Sequence, residues 1–228
     1  MTGLVCLQGG GEFSLGCRAM DKALLQRTDG PVVVTALAAE PGRDYRTATD
    51  NGVSHFRALG ASEVVAAPDV REDPELALAA LRTARLLVLP GGSPSRLLTA
   101  LTGSPVGALV TALVEDGGVV MGASAGAMVL GAWTVLPDRR GPAGMVVAPA
   151  LGVVPGVLVV PHWSGGSSRG DWLRAVREGV PGDIEVLGLP EESGVLVEDG
   201  AMSAVGQLPT RLVGRERDLP LGESWRLV

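Results

Sequence analysis

The sequence predicts one α/β domain over residues 1–228, built on a doubly wound, mostly parallel sheet flanked by helices, with a short antiparallel extension at the carboxyl end. Three observations carry that prediction. Short continuous apolar runs alternate with helical stretches, and runs without a polar alternate belong to strands covered on both faces by crossover helices. Hydrophobic residues make up 46% and charged residues 19% of 228 residues, enough apolar mass for a large core and far from the composition of a disordered chain. Glycine and proline clusters follow the apolar runs, marking the loops at which such a sheet binds its ligands.

The elements can be taken in order. Gly3–Leu7 is a strand that stops at Gln8-Gly-Gly-Gly-Glu12, a tight turn without the lysine or glycine spacing of a phosphate loop, and a helix is expected from about Gly16 to Arg27. Pro31–Leu37 is the second strand, followed by a helix over Tyr45–Leu59 that Gly60 caps. His55 lies on that helix among Val53, Phe56 and Leu59 and reads as a packing residue. Glu63–Ala67, a helix over Pro74–Arg82 and a strand over Arg85–Leu89 follow, with proline in the first helical turn. A loop, Pro90-Gly-Gly-Ser-Pro-Ser-Arg96, opens another helix, and a further helix from Pro105 to Asp116 feeds the strand Val119–Met121. Pro137–Pro155 reads as an irregular loop, Val157–Val160 as a strand, Asp171–Arg177 as a helix and Ile184–Leu189 as a strand. Short strands with Glu-Asp-Gly turns complete the chain as the antiparallel extension.

Composition also narrows the partners. An aromatic content of 3% and a net charge of -6 argue against nucleic acid, which needs stacking platforms and a cationic footprint. Two cysteines and two histidines are too few for a disulfide framework or a zinc cluster, and Cys6 reads as a buried strand residue. No apolar run approaches the roughly 18 residues of a membrane span. Met1–Leu7 is too short and uncharged for a secretory signal. The expectation is a cytoplasmic monomer or homodimer.

The chemistry concentrates in four strand-end segments. Gly122-Ala-Ser124-Ala-Gly126 has the G-x-S-x-G spacing of a nucleophile elbow, in which small neighbours permit the sharp strand-to-helix turn that presents the serine hydroxyl. The N–H of Ala125 is then one oxyanion donor, and Gly92 in the earlier loop is the most economical second. His162, in Pro161-His-Trp163, follows a strand and can serve as general base. Glu191 and Glu192 follow another strand, and either carboxylate can fix the tautomer of an imidazole.

Together these segments resemble serine peptidase family S51, which includes aspartyl dipeptidase and cyanophycinase and has a fold similar to class I glutamine amidotransferases. The resemblance runs through Gly91-Gly92, Gly122-Ala-Ser124-Ala-Gly-Ala127, Pro161-His162-Trp163 and Gly188-Leu-Pro-Glu191. It implies a Ser124–His162–Glu191 triad with Gly92 and Ala125 as oxyanion hole, acting on a short-peptide substrate through an acyl-enzyme with no metal or organic cofactor. It also places Arg169 where aspartyl dipeptidase carries an arginine for an acidic side chain. Gly91, Ser93, Arg96, Trp163 and Arg169 are the candidate substrate-binding residues. Ser93-Pro-Ser-Arg96 departs from the family's polar sequence after the glycines, and Trp163 with Trp172 can shape a more apolar pocket. The alternatives are an amide hydrolase for another substrate, such as a cyanophycin-like chain or a modified peptide, and a non-catalytic small-molecule binder.

Overall fold

Strand β1 (Leu4–Gln8) alternates strictly between two apolar layers, with Val5 and Leu7 in one and Leu4 and Cys6 in the other. The same alternation holds along β2 (Val32–Val34), β4 (Leu86–Leu89) and β5 (Val119–Ala123), which explains their continuous apolar runs. With β3 (Val64–Ala66) these strands pair in parallel in the order β3-β2-β4-β5-β1. The computed structural model describes residues 2–139, 141, 144–166 and 170–227.

The helices follow the sequence reading with trimmed ends. They are α1 (Arg18–Leu25), α2 (Arg43–Ala58), α3 (Pro74–Leu81), α4 (Pro94–Thr102) and α5 (Val106–Glu115). Helices α3 and α4 begin alike, with proline in the first turn and a side-chain cap: Asp73 accepts from the Leu76 N–H, and Ser93 from the Arg96 N–H. Among the described residues no single helix is long and apolar enough to cross a membrane.

Beyond β5 the chain makes a six-residue helix, α6 (Ala125–Leu130), and passes at Gly131 straight into β6 (Gly131–Pro137). Here the structure departs from the sequence reading. Part of the segment read as a loop is strand β7 (Met145–Pro149), paired antiparallel with β6. The strands β8 (Val154–Val160) and β9 (Glu185–Gly188) pair in parallel beside β6, giving a second sheet in the order β13-β12-β9-β8-β6-β7. Its outer strands are β12 (Thr210–Leu212) and β13 (Arg217–Leu219). The absence of any connection between α6 and β6 explains the split, because the chain has no length in which to return to the first sheet. Helix α7 (Gly170–Gly179) covers the second sheet through Ala175 and Val176, packed with Leu158, Val160 and Val186.

The antiparallel extension is β10 (Ser193–Glu198), β11 (Ala201–Gly206) and β14 (Ser224–Arg226), added to the first sheet on the free edge of β1. Strand β10 starts where β1 ends, with Gly194 opposite Gln8, so the residues before it arrive at the carboxyl end of the parallel strands.

A polar cluster is sealed beneath that end. Asp21 receives the Gln8 side-chain amide at 2.5 Å and lies 2.7 Å from His55 Nε2, all three residues being buried. His55 also packs edge-on to Phe56 and against Phe13, so the turn after β1 is tied to α2. His55 is thus the packing residue expected, with a buried acid as its partner.

Helix α6 approaches the first sheet closely: a Cβ at Gly126 would stand 2.1 Å from the Leu89 carbonyl oxygen. Gly126→Ala is therefore expected to cost about 2–4 kcal/mol through forced displacement of the helix. Gly214→Ala, where a Cβ meets open space, should stay within about 0.5 kcal/mol. Urea denaturation of the two variants checks both values.

Candidate active site

Strand order places the site. Strand β5 lies between β1 and β4, so the turns after all three converge at the carboxyl edge of the sheet. From Gly118 to Leu130 every residue is buried except Ser124. Ser124 has φ 48° and ψ −107°, a strained backbone for a residue with a side chain. Two hydrogen bonds hold it there: its N–H donates to the Gln8 carbonyl at 2.9 Å, and its carbonyl accepts from the Met128 N–H at 3.0 Å.

Ser124 Oγ lies 2.9 Å from His162 Nε2, and His162 Nδ1 lies 2.8 Å from Glu191 Oε1. An ionised carboxylate only accepts, so Nδ1 carries the proton and the Nε2 lone pair faces the serine hydroxyl. The relay faces solvent, with the His162 side chain 38% and the Glu191 side chain 63% exposed. Glu192 turns the other way and accepts from the Ser14 hydroxyl at 2.7 Å. Of the two adjacent glutamates, the geometry thus puts Glu191 on the imidazole and Glu192 on the turn before α1.

The three glycines after β1 form the seat for this arrangement. His162, at φ 51°, donates its N–H to the Gly9 carbonyl, and a Cβ at Gly10 would stand 2.3 Å from His162 Cε1. The Gly10 carbonyl accepts the Glu192 N–H, and a Cβ at Gly9 would stand 2.1 Å from the Pro190 carbonyl oxygen. A turn that the sequence reading left beside the site is therefore its floor. The glycine triplet itself was the available signal, but its meaning depends on β1 lying next to β5.

The N–H of Ala125 opens α6 and has no partner within that helix. Gly92, exposed and at φ 140°, presents its N–H from the loop after β4, and a Cβ there would meet the Ala38 carbonyl oxygen at 2.6 Å. Gly91 lies against Ser124, its missing Cβ 3.2 Å from Ser124 Cβ, and donates its N–H to Glu12 Oε1 at 2.7 Å. Glu12 was not among the residues singled out by sequence.

The other predicted contacts are distributed less compactly. The hydroxyl of Ser93 caps α4. The Arg96 guanidinium holds the Ala38 carbonyl at 2.8 Å and pairs with Glu40, beside a cavity shared with Arg71, Ser95 and Thr99 but not with Ser124, His162 or Glu191. Trp163, next to His162, packs on Gly188 and lines a cavity of about 670 Å³ with Leu173, Val176, Val186 and Arg211. Arg169 lies outside the described residues. Among the described residues no cluster of His, Cys, Asp and Glu side chains is arranged to hold a metal ion.

With the geometry in view, the comparisons are informative. Residues 31–205 match the model of peptidase family S51, more than half of the chain. The chain belongs to peptidase family S51. This S51 peptidase resembles the crystal structure of a peptidase from an acI-B1 Actinobacterium, with 23% identity, a TM-score of 0.82, and coverage of 99% of this chain and 97% of that one. It also resembles a proposed peptidase E from Listeria monocytogenes EGD-e, with 15% identity, a TM-score of 0.65, and coverage of 91% and 100%. No curated protein matches the chain.

Both cysteines are poor competitors for the nucleophile's role. Burial pushes the Cys6 thiol well above its usual range and, outweighing a hydrogen bond from Ser14, the Cys17 thiol up to about 11. At pH 7.5 well under about one Cys17 in a thousand is thiolate, the form that alkylates. Iodoacetamide at that pH is expected to leave peptidase activity of the S51 enzyme unchanged and both thiols unmodified by mass spectrometry. Gly10→Ala, in contrast, should lower turnover by about 100-fold or more, because it displaces the imidazole by roughly an ångström. Steady-state kinetics on the purified variant reads that loss.

Proposed function

We propose that this S51 peptidase hydrolyses short peptides with an amino-terminal aspartyl or related acidic residue, through an acyl-enzyme on Ser124. The observation that carries the reading is the continuous relay from Ser124 Oγ through both imidazole nitrogens to Glu191, at 2.9 and 2.8 Å. Ser124 Oγ attacks the scissile carbonyl as His162 Nε2 takes its proton, and Glu191 stabilises the imidazolium that forms. The tetrahedral oxyanion receives the N–H groups of Ala125 and Gly92. The C–N bond then breaks, and Nε2 returns the proton to the departing amine. A water, deprotonated by the same nitrogen, attacks the ester and releases the acid, so that one water is consumed for each amide bond cleaved.

The acidic preference rests on the likeness to aspartyl dipeptidase and on the placement of Arg169 in the sequence. One observation favours a second reading, an amide hydrolase for a larger acyl group: Trp163, next to His162, opens a cavity with an apolar side of Leu173, Val176 and Val186 and a charged side of Arg177, Arg211, Glu216 and Asp218. A panel of aspartyl, isoaspartyl and neutral dipeptides, followed by mass spectrometry, separates the two readings. Faster turnover of the neutral peptides would overturn the acidic preference.

The serine mechanism has its own test. A fluorophosphonate should label Ser124 stoichiometrically, and Ser124→Ala should abolish labelling and lower kcat by about 10⁴-fold or more. Absence of labelling would favour a non-catalytic binding protein. Glu191→Gln should lower kcat by about 10²–10⁴-fold. Glu192→Gln, which loses only its contact with Ser14, should stay within about tenfold of the parent. The reverse order would move the acid by one residue.

A further inference from the structure

Glu12 is a carboxylate at the nucleophile that the proposed triad does not use. It stands in the turn after β1, outside the segment matched by the family model. Its Oε1 accepts the Gly91 N–H at 2.7 Å and lies 2.8 Å from where a Gly91 Cβ would be, while Ser124 Cβ lies 3.2 Å from that same point. Its Oε2 has no hydrogen bond, and no Lys, Arg or His pairs with Glu12 among the described residues. The side chain is half-buried and borders an open groove of about 620 Å³ that continues along Phe13, Ser14, Arg18, Asn51, Ser54 and His55, where Arg18 reaches the Ala58 carbonyl and His55 pairs with Asp21.

An uncompensated carboxylate here opposes the proposed chemistry. The oxyanion that forms on the Ser124 adduct is to be held by Gly92, one residue from the N–H that Glu12 occupies. Two negative charges a few ångströms apart in a partly desolvated site repel, and the barrier rises. A substrate cation next to the scissile carbonyl reverses the effect, because it neutralises Glu12 and attracts the oxyanion together. In a peptide the α-ammonium group of the first residue has that position, one carbon from the first carbonyl. It is also a compact donor with three N–H bonds, suited to the open Oε2.

We propose that Glu12 binds the α-ammonium group of an unblocked peptide and so restricts the enzyme to cleaving after the first residue. The proposal rests on the serine-peptidase reading above and adds the feature of the substrate that it must carry. Glu12 is thus a specificity residue that touches the substrate, and its effect belongs to kcat as well as KM, since the charge it offsets develops in the transition state.

The test uses the p-nitroanilides of aspartate, alanine and leucine, each with a free amino group and as the N-acetyl derivative, on the parent enzyme and on Glu12→Gln. The parent should prefer free-amine compounds by about 100-fold or more in kcat/KM. Glu12→Gln should narrow the preference to under about tenfold, by losing rate on the free amines while the acetylated compounds hold or gain. Glu12→Asp should keep part of the preference. A parent enzyme indifferent to acetylation overturns the inference, and so does an equal loss on both series in Glu12→Gln, which is the mark of a purely structural role at Gly91. Fluorophosphonate labelling, run in parallel, separates the failures. If Ser124 is labelled but no free-amine compound is cleaved, the inference falls and the serine chemistry stands. If Ser124 is not labelled and nothing is cleaved, both fall.

Discussion

The His162 ring occupies the space that a side chain at Gly10 would fill, and the rest of the site depends on that vacancy. Two segments from distant parts of the sequence meet on the turn after β1: the end of β8 through the Gly9 carbonyl, and the Glu191–Glu192 turn with the start of β10 through the Gly10 carbonyl and the Gly9 N–H. Each contact uses a main-chain group that a larger residue would screen. The imidazole therefore lies on backbone, at a height set by the absence of Cβ atoms, and that height puts Nε2 within 2.9 Å of the serine oxygen.

Positive-φ residues surround this seat. Ser124, His162 and Glu192 all adopt left-handed backbone without being glycine. Such conformations cost of order 1–3 kcal/mol each and persist where the surroundings leave no alternative. Here the surroundings are two sheets and a buried layer below, in which Asp21 binds both the Gln8 side-chain amide and the His55 ring. Gln8 links the two levels, since its side chain binds Asp21 while its carbonyl holds the Ser124 N–H.

Much of this was legible in the sequence, for identifiable reasons. The continuous apolar runs gave the parallel strands, because a strand covered on both faces leaves no polar position. Ser124 was legible because an elbow needs small residues at fixed spacing, and His162 and Glu191 because they follow strands within recognisable segments. The second sheet was not legible, since β8 and β9 are as apolar as the strands of the first and nothing in their residues tells which sheet they join. The work of Gly9–Gly11 and the position of Glu12 were hidden for a related reason. They depend on β1 being the neighbour of β5, more than a hundred residues away in the chain, and strand order leaves little trace in local pattern. Arg96 shows the converse: its residue type suits an anion, but Glu40 lies within reach on the neighbouring loop.

The direct passage from α6 into β6 divides the labour between two sheets. The first carries the strained serine turn, the glycine seat and the loop with Gly91 and Gly92. The second carries the strand that leads to His162, and with it walls of the Trp163 cavity. Val176 and Val186 line the Trp163 cavity and also pack α7 onto the second sheet, so a change of size there is felt by that sheet's own core before it reaches the serine turn on the other.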